Sequence, residues 1–423
     1  LRKSSAGLVE LVVERVGARG DGIAYYEGKP IFLPFTAPGD RVRARLGMRR
    51  GGGREGEVVS IVAAGPGRAT PACRHFTACG GCALQQLDSA TYDRVKLEAL
   101  RTAVGRAGIE PSIIRPMRTP AAARRRARLG IERPHKLDMP VRVGYRERFR
   151  HTLVDLEECP VMEPALLAVV APLRELARIL LAPGEKAEAS LTRTDSGVDL
   201  VFISSKMPGL TTLQALGDFA EAHDLARITW EWGGREIPVV ERRPVRIVFG
   251  GVAVAFPPGA FLQASEMAQE MLVEEVLLGV GERRPTLDLF AGLGAFALAL
   301  AQAGPVHAVE ADQRMSAALR QAGASVMKFT VETRDLERNP LPVEALAGYA
   351  AAVFDPPRAG AAAQAAALAH SRLERVVAVS CNPATFARDA ALLIAGGFRA
   401  LSIVPIDQFT WTPHLELVAV FER

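Results

Sequence analysis

Five cysteines, five tyrosines and three tryptophans are all that 423 residues hold of these types. An odd cysteine count with one tight cluster, at Cys73, Cys79 and Cys82, excludes the disulfide framework of a small secreted domain. No apolar run approaches the ~18 residues that a membrane span needs. The opening Leu1-Arg2-Lys3 has no apolar stretch resembling a secretory signal. It also lacks an initiator Met, as a trimmed or processed chain would. These absences leave a soluble cytoplasmic protein with no membrane partner as the expectation, and a monomer as the default.

What is present is enough chain for two or three cores, with its charge unevenly spread. Residues 1–150 hold 29 of the 52 basic and 14 of the 47 acidic side chains. The remaining 273 residues therefore carry 23 basic and 33 acidic ones. A basic front half on an acidic back half points to a polyanion held by the front half, although a solvated basic surface is the common alternative.

Short apolar runs separated by glycine turns, at 8–13, 22–26, 29–33, 41–46 and 56–62, predict a small five-stranded barrel over residues 1–65. The stretches Gly17-Ala18-Arg19-Gly20-Asp21-Gly22-Ile23-Ala24 and Pro38-Gly39-Asp40-Arg41-Val42 resemble the TRAM module, an OB-like RNA-binding barrel attached to RNA-modifying enzymes. Residues 66–284 read as the clustered-cysteine loop followed by an α+β middle domain. Its helix at about 91–107 is placed, as an expectation, against the catalytic domain. Strands are expected at 124–129, 198–204, 226–232 and 245–256, the last broken by a turn at Gly250-Gly251.

Residues 285–423 alternate strand and helix as a doubly wound parallel sheet does. Strand candidates are 286–289, 306–309, 351–354, 376–380, 401–405 and 415–421. The closing pair, with no helix between, predicts a terminal antiparallel hairpin. The fold class is thus α/β, with a Rossmann-like C-terminal domain behind the barrel and the middle domain.

Thr286-Leu287-Asp288-Leu289-Phe290-Ala291-Gly292-Leu293-Gly294 runs from an apolar strand into a glycine turn before a helix, where backbone approaches a ligand closely. Glu310 ends the next strand, where a carboxylate accepts the two ribose hydroxyls of an adenosine. NAD and S-adenosylmethionine both fit that pair. Two glycines rather than three favour S-adenosylmethionine, which has no pyrophosphate to cradle. Asp335, after the third strand, is a candidate for the adenine amino group.

Asp355-Pro356-Pro357-Arg358 follows one buried strand, and Ser380-Cys381-Asn382-Pro383 follows the next. In amino-group methyltransferases the Asp-Pro-Pro turn usually ends in an aromatic, whereas here it ends in Arg358. A lone cysteine is usually a buried small hydrophobe. Cys381 instead falls at the active edge of the sheet beside a helix N-terminus, surroundings expected to lower its pKa and expose the thiolate. C5 of uracil is a poor nucleophile until a thiolate adds to C6, and a base must later remove the C5 proton. Glu416 in His414-Leu415-Glu416 is the candidate base.

From about residue 260 onward the chain resembles the class I uracil-C5 RNA methyltransferases. Phe261-Leu262-Gln263, Asp288-Leu289-Phe290, the Asp-Pro-Pro-Arg turn, Ser380-Cys381-Asn382-Pro383 and His414-Leu415-Glu416 carry the likeness. The resemblance implies that Gln263, Phe290, Glu310 and Asp355 line the S-adenosylmethionine and uracil site. It further implies that Cys381 is the nucleophile and Glu416 the base. The chain departs from the family pattern at Ser265 (usually Asn), Ala291 (often Cys), Ala295 (often Asn) and in the segment 408–413.

Cys73-x5-Cys79-x2-Cys82 with a distant Cys159-Pro160 suits zinc or an iron–sulfur cluster. One Cys-x2-Cys knuckle and a following proline lean towards [4Fe–4S]. Family members acting on 23S ribosomal RNA carry the same four-cysteine pattern, which extends the resemblance over nearly the whole chain. It implies a structural cluster and an RNA partner. Arg124-Arg125-Arg126-Ala127-Arg128 and 142–150 are candidate RNA contacts, with a fold-capping role as the alternative for one or two of those arginines. Ribosomal RNA is the expected target, with tRNA as the near alternative and a non-catalytic iron–sulfur RNA-binding protein as the distant one. The Pro-Cys motif of cytosine-C5 enzymes is absent.

Overall fold

Residues 41–46 alternate arginine with valine, alanine and leucine, and the outcome is a strand with one face inward and the arginines outward. In a computed structural model the described residues are 8–110, 114, 117, 118, 122–148, 150 and 152–423. They fall into two units.

The first unit takes in the chain up to Thr102 together with Arg146–Thr152 and Phe409–His414. Its strands are β1 (Leu8–Val12), β2 (Arg15–Val16), β3 (Gly22–Tyr26), β4 (Lys29–Leu33), β5 (Arg41–Arg50) and β6 (Gly53–Ala63), in the sheet order β1-β5-β6-β4-β3-β2. β1 pairs with β5, whereas β2 pairs with β3. The continuous run 8–16 thus lies on both margins of the sheet and closes it into a barrel of five runs, as the glycine-turn spacing predicts. Leu11, Val13, Ala24, Ile31, Leu33, Val42, Ala44 and Leu46 fill it. Buried Asp40 ties the closing turns, accepting from Ala37 N at 2.7 Å, Gly65 N at 2.8 Å and Arg68 Nη1 at 2.5 Å. The β5–β6 hairpin is longer than predicted because Gly51 and Gly52 both adopt positive φ and so let the chain reverse late. Helix α1 (Ser89–Arg106) begins in this unit and runs past its boundary.

The second unit opens with β7 (Met117–Arg118). β8 (Arg126–Glu132), β9 (Arg142–Arg146), β10 (Leu153–Asp155), α2 (Pro164–Leu180), β11 (Lys186–Thr194), β12 (Gly197–Ser204), α3 (Leu210–Ala222), β13 (Arg227–Trp232) and β14 (Arg235–Glu241) then form a seven-stranded sheet with two helices. A hairpin of β15 (Arg246–Phe249) and β16 (Val252–Ala255) follows, turning at Gly250-Gly251 as predicted. Next come α4 (Glu266–Val280), β17 (Thr286–Leu289), α5 (Ala295–Leu300), β18 (Val306–Glu310), α6 (Gln313–Gly323), β19 (Phe329–Thr333) and β20 (Ala351–Phe354). The chain ends with α7 (Ala362–His370), β21 (Arg375–Ser380), α8 (Pro383–Ala395), β22 (Arg399–Asp407) and β23 (Glu416–Glu422).

The last sheet has the order β19-β18-β17-β20-β21-β23-β22-β7. β17 and β20 are buried at every position, as strands covered on both faces must be. β19, the strand expected before Asp335 but given no bounds from sequence, is the sheet margin, half-exposed along its length. The order reverses between β17 and β20, which opens a crevice beyond their carboxyl ends. β23 runs antiparallel to β21, so its amino end reaches the same edge.

Candidate active site

Strand register delivers the reactive groups. β17 and β20 pair Leu289 with Phe354, so Phe290 and Asp355 emerge side by side. β21 and β23 pair Ser380 with Leu417, so the next positions in register are Cys381 and Glu416. Residues from strands far apart in sequence therefore meet at one edge.

The glycine turn after β17 is built for close approach. Phe290, Gly292 and Gly294 all have positive φ, at 63°, 58° and 90°. A Cβ at Gly292 would meet nothing within 4 Å, which leaves the turn open to a ligand. Glu310 is buried, and its carboxylate accepts from Gly292 N at 2.8 Å and from Asp312 N at 2.7 Å. It shapes the turn with one lone pair of each oxygen and keeps the others for a ligand. Asp288 lies under the turn, fully buried, with neither carboxylate oxygen hydrogen-bonded among the described residues. Burial first, then the Asp355 and Glu310 charges, push its carboxyl well above the usual range. The nearest relief is the Ala297 N–H in the first turn of α5, which falls short of hydrogen-bond geometry. Asp335 is half-exposed and turns its carboxylate to the Glu337 and Arg338 N–H groups, at 3.0 and 3.2 Å.

Gln263 and Glu416 are joined by a residue that sequence reasoning passed over. Gln408 Nε2 donates to Gln263 Oε1 at 2.7 Å and to Glu416 Oε2 at 2.9 Å, while its Oε1 accepts from Ala264 N at 2.9 Å. All three side chains are buried. The signal was the terminal hairpin: β22 pairs Ile406 with Glu416, which puts Gln408 one diagonal step from the carboxylate. Ser265, where the family pattern has Asn, caps α4 through Ala268 N at 3.1 Å.

The turn bearing Asp355 is fastened to the turn bearing Cys381. Asn382 Nδ2 and Thr385 Oγ1 donate to Arg358 O at 3.1 and 3.2 Å, and Ala361 N donates to Asp389 at 2.9 Å. The expected low thiol pKa is not what this arrangement produces. Burial first, then the Glu416 and Asp355 charges, push the Cys381 thiol up to about 11, against a smaller downward pull from its own backbone N–H and Arg358. The helix N-terminus gives little help because the Asn382 side chain already occupies the Ala384 N–H. Burial raises Asp355 to about 7. Glu416 is raised well above the usual range by burial and by Asp355, with Gln408 pulling the other way. Two buried carboxyls with raised pKa values beside a thiol are groups suited to proton transfer.

Arginines read as RNA contacts divide on inspection. Arg125 is 1% exposed, and its Nε and Nη2 donate to Gln263 O at 3.1 Å and Gln269 Oε1 at 2.6 Å. Arg126 donates to Leu262 O at 2.7 Å and lies over the Phe261 ring. Both hold the segment that carries Gln263. Arg128 is exposed on an ion pair with Glu188, and Arg148 pairs with buried Asp21 at 2.7 Å. Phe149, within the 142–150 stretch, lies outside the described residues. On the barrel, Lys29, Arg49, Arg50 and Arg54 surround a cleft beside Tyr26, a basic surface with an aromatic in it.

Among the described residues no three His, Cys, Asp or Glu side chains are gathered as a metal-holding group. Two of the four cysteines meet backbone N–H groups. Cys79 Sγ accepts from Gly81 N at 3.4 Å. Cys159, pushed up by burial, is drawn back by the Val161 and Met162 N–H groups. Among the described residues no helix is long and apolar enough to cross a membrane.

Known proteins bear on this geometry. The profile of the family described as tRNA (Uracil-5-)-methyltransferase matches residues 252–423, and that of the TRAM domain matches residues 8–47. The chain is 39% identical over 424 residues to an uncharacterized RNA methyltransferase of Caulobacter vibrioides, covering 98% of this chain and 100% of the relative. It is 35% identical to the 23S rRNA (uracil(1939)-C(5))-methyltransferase RlmD of Halomonas elongata, covering 99% and 90%. The crystal structure of Pyrococcus abyssi tRNA (uracil-54, C5)-methyltransferase, in complex with S-adenosyl-L-homocysteine, shares the fold. Its TM-score is 0.74 at 24% identity, over 98% of this chain and 100% of that one. With a TRAM barrel in front, a class I sheet behind and relatives of this identity along its length, the chain belongs to the RNA (uracil-5-)-methyltransferase family.

Proposed function

We propose that the protein methylates C5 of a specific uridine in 23S ribosomal RNA in the cytoplasm. The observation that carries the reading is that strand register brings Cys381 to the edge of the sheet with two buried carboxyls, Asp355 and Glu416. Gln263, Phe290, Glu310, Asp335 and Asp355 hold S-adenosylmethionine and the uracil around the open glycine turn. S-adenosylmethionine, when bound, supplies an electrophilic methyl group. Cys381 Sγ adds to C6 of the uracil as its proton passes to Asp355, which exchanges protons near neutrality. C5, now enolate-like, would take the methyl group as the methyl–sulfonium bond breaks and its electron pair stays on the sulfur of S-adenosylhomocysteine. Glu416 removes the C5 proton, the C5=C6 bond re-forms and the electron pair of the C6–S bond returns to Cys381. Gln408 holds the Glu416 carboxylate for that step.

Cys73, Cys79, Cys82 and Cys159 are proposed to hold a [4Fe–4S] cluster. Their number, their spacing and the N–H groups aimed at Cys79 and Cys159 suit thiolate ligands. The cluster would tie chain segments together and pass no electron to the reaction. Iron and sulfide analysis of anaerobically prepared protein tests it, with Cys159→Ser expected to lose iron.

Ribosomal RNA is favoured by the relative from Halomonas elongata, whose name specifies 23S rRNA. The test uses 5-fluorouridine transcripts of 23S rRNA and of tRNA. The wild type should form a denaturation-resistant adduct with the ribosomal transcript, and Cys381→Ala should form none. An adduct that survives in Cys381→Ala would overturn the nucleophile, and one confined to tRNA would overturn the target.

A further inference from the structure

The segment between the two residues that handle the last proton is itself gripped. The chain leaves the hydrogen-bonded Gln408 and returns at Glu416 only eight residues later. Residues 409–414, which lie between, pack with the N-terminal elements as part of the first unit. Trp411 N donates to the Tyr92 hydroxyl at 3.0 Å, and Trp411 O accepts from Ala83 N at 2.8 Å and Leu84 N at 3.0 Å. Lys96 Nζ donates to His414 O at 2.7 Å and Phe409 O at 3.3 Å, one carbonyl at each end of the segment. The Lys96 side chain is buried and passes over the Tyr92 ring at 5.2 Å.

Trp411 has φ of 58°, a backbone state that a bulky L residue avoids and that persists only where its surroundings over-determine it. Its side chain packs on the cluster of Val16, Ala37, Ala83, Leu84, Leu87, Tyr92 and Val95. The segment also braces itself, because Thr412 Oγ1 donates to Phe409 O at 2.9 Å and accepts from His414 N at 3.2 Å. A turn held at both ends and at its middle is built to hold its two exits still.

We infer that Tyr92 and Lys96 are positioning residues for the catalytic base: they fix residues 409–414 and thereby the spacing of Gln408 and Glu416. Neither touches the reacting atoms. The inference rests on the assignment of Glu416 as the base that removes the C5 proton. Loosening the segment should slow that step, in which the C5–H electron pair becomes the C5=C6 bond and the C6–S pair returns to sulfur. Thiol addition and methyl transfer come earlier and should be spared.

The test compares full-length wild type, Lys96→Met and Tyr92→Phe on a uridine transcript and on its 5-fluorouridine counterpart, using the RNA that the wild type methylates. With fluorinated RNA, each variant should form its adduct at the wild-type rate. With uridine RNA, Lys96→Met should lower kcat about tenfold with KM little changed, since losing a held hydrogen bond of about 1.4 kcal/mol is tenfold in rate. A methylated covalent adduct should accumulate as it turns over. Tyr92→Phe, which loses one hydrogen bond and keeps the ring, should act in the same direction and less strongly. Unchanged kcat in both variants would overturn the inference. So would a fall in adduct formation equal to the fall in turnover, which would mark a general structural defect. If the wild type forms no adduct with fluorinated RNA, the Cys381 chemistry itself fails, an outcome distinct from either of these.

Discussion

Asp355 raises the pKa of Glu416, and both raise that of Cys381, so a change at a carboxylate is legible at the thiol. Asp355→Asn or Glu416→Gln removes a negative charge that now bears on the thiol. Either variant should move the pH midpoint of iodoacetamide alkylation at Cys381 downward from about 11. An unchanged midpoint in both would mean that burial alone sets the thiol. Asp288 offers a stability test. Its folded pKa lies above that of an unfolded aspartate, so the folded state holds an extra proton between the two values and stability falls as pH rises through that window. Asp288→Asn should therefore raise the unfolding midpoint of the ligand-free protein by a few degrees at about pH 8. The gain should shrink towards about pH 4, where the free aspartate is itself half protonated. Differential scanning calorimetry across that range decides it. The sequence singled out Cys381, Asp355 and Glu416 by their motifs and misjudged the thiol, because the charges beside it arrive from other strands and Asn382 spends the helix terminus on itself. The run of arginines was expected to contain one or two that only cap the fold, and Arg125, one residue before β8, turns inward to hold the Gln263 carbonyl.

Turns and strands set the precision with which these groups meet. Gly294 begins α5 with φ of 90°, and a Cβ there would lie 2.4 Å from Leu319 Cδ1. Gly294→Ala should cost about 1–3 kcal/mol of stability from backbone strain and crowding. It should also weaken S-adenosylmethionine binding measured by isothermal titration calorimetry, because the turn that bares its backbone to the ligand can no longer close. Strands with every position apolar, such as β17 and β20, were legible because only a covered parallel sheet accepts them. The bounds of the half-exposed β19 were not, since an edge strand mixes polar and apolar positions and carries no pattern of its own. Gln408 was hidden at this scale too. Its value depends on the register of a hairpin rather than on any neighbour in sequence.

Across the whole molecule, basic side chains gather in the first 150 residues and acidic ones predominate in the rest. The basic front half and the cleft of Lys29, Arg49, Arg50 and Arg54 predict strongly salt-dependent RNA binding. Plotted as log affinity against log salt, binding should fall linearly. Arg49→Gln should make that slope shallower by about one unit if the side chain neutralises one phosphate. A slope unchanged from wild type would remove Arg49 from the RNA surface. This asymmetry was visible in composition alone.

The order of synthesis adds a constraint. Residues 409–414 complete a unit whose preceding piece ends at Thr152, roughly 250 residues earlier in the chain. While the protein is being made, the apolar seat for Trp411 stays unfilled until residue 411 itself has left the ribosome. A chain cut short before that point lacks Glu416, the proposed base, and leaves uncovered the apolar seat made by Leu84, Leu87 and Tyr92. Such an unfinished copy is marked for proteolysis by sticky surface that the longer chain covers.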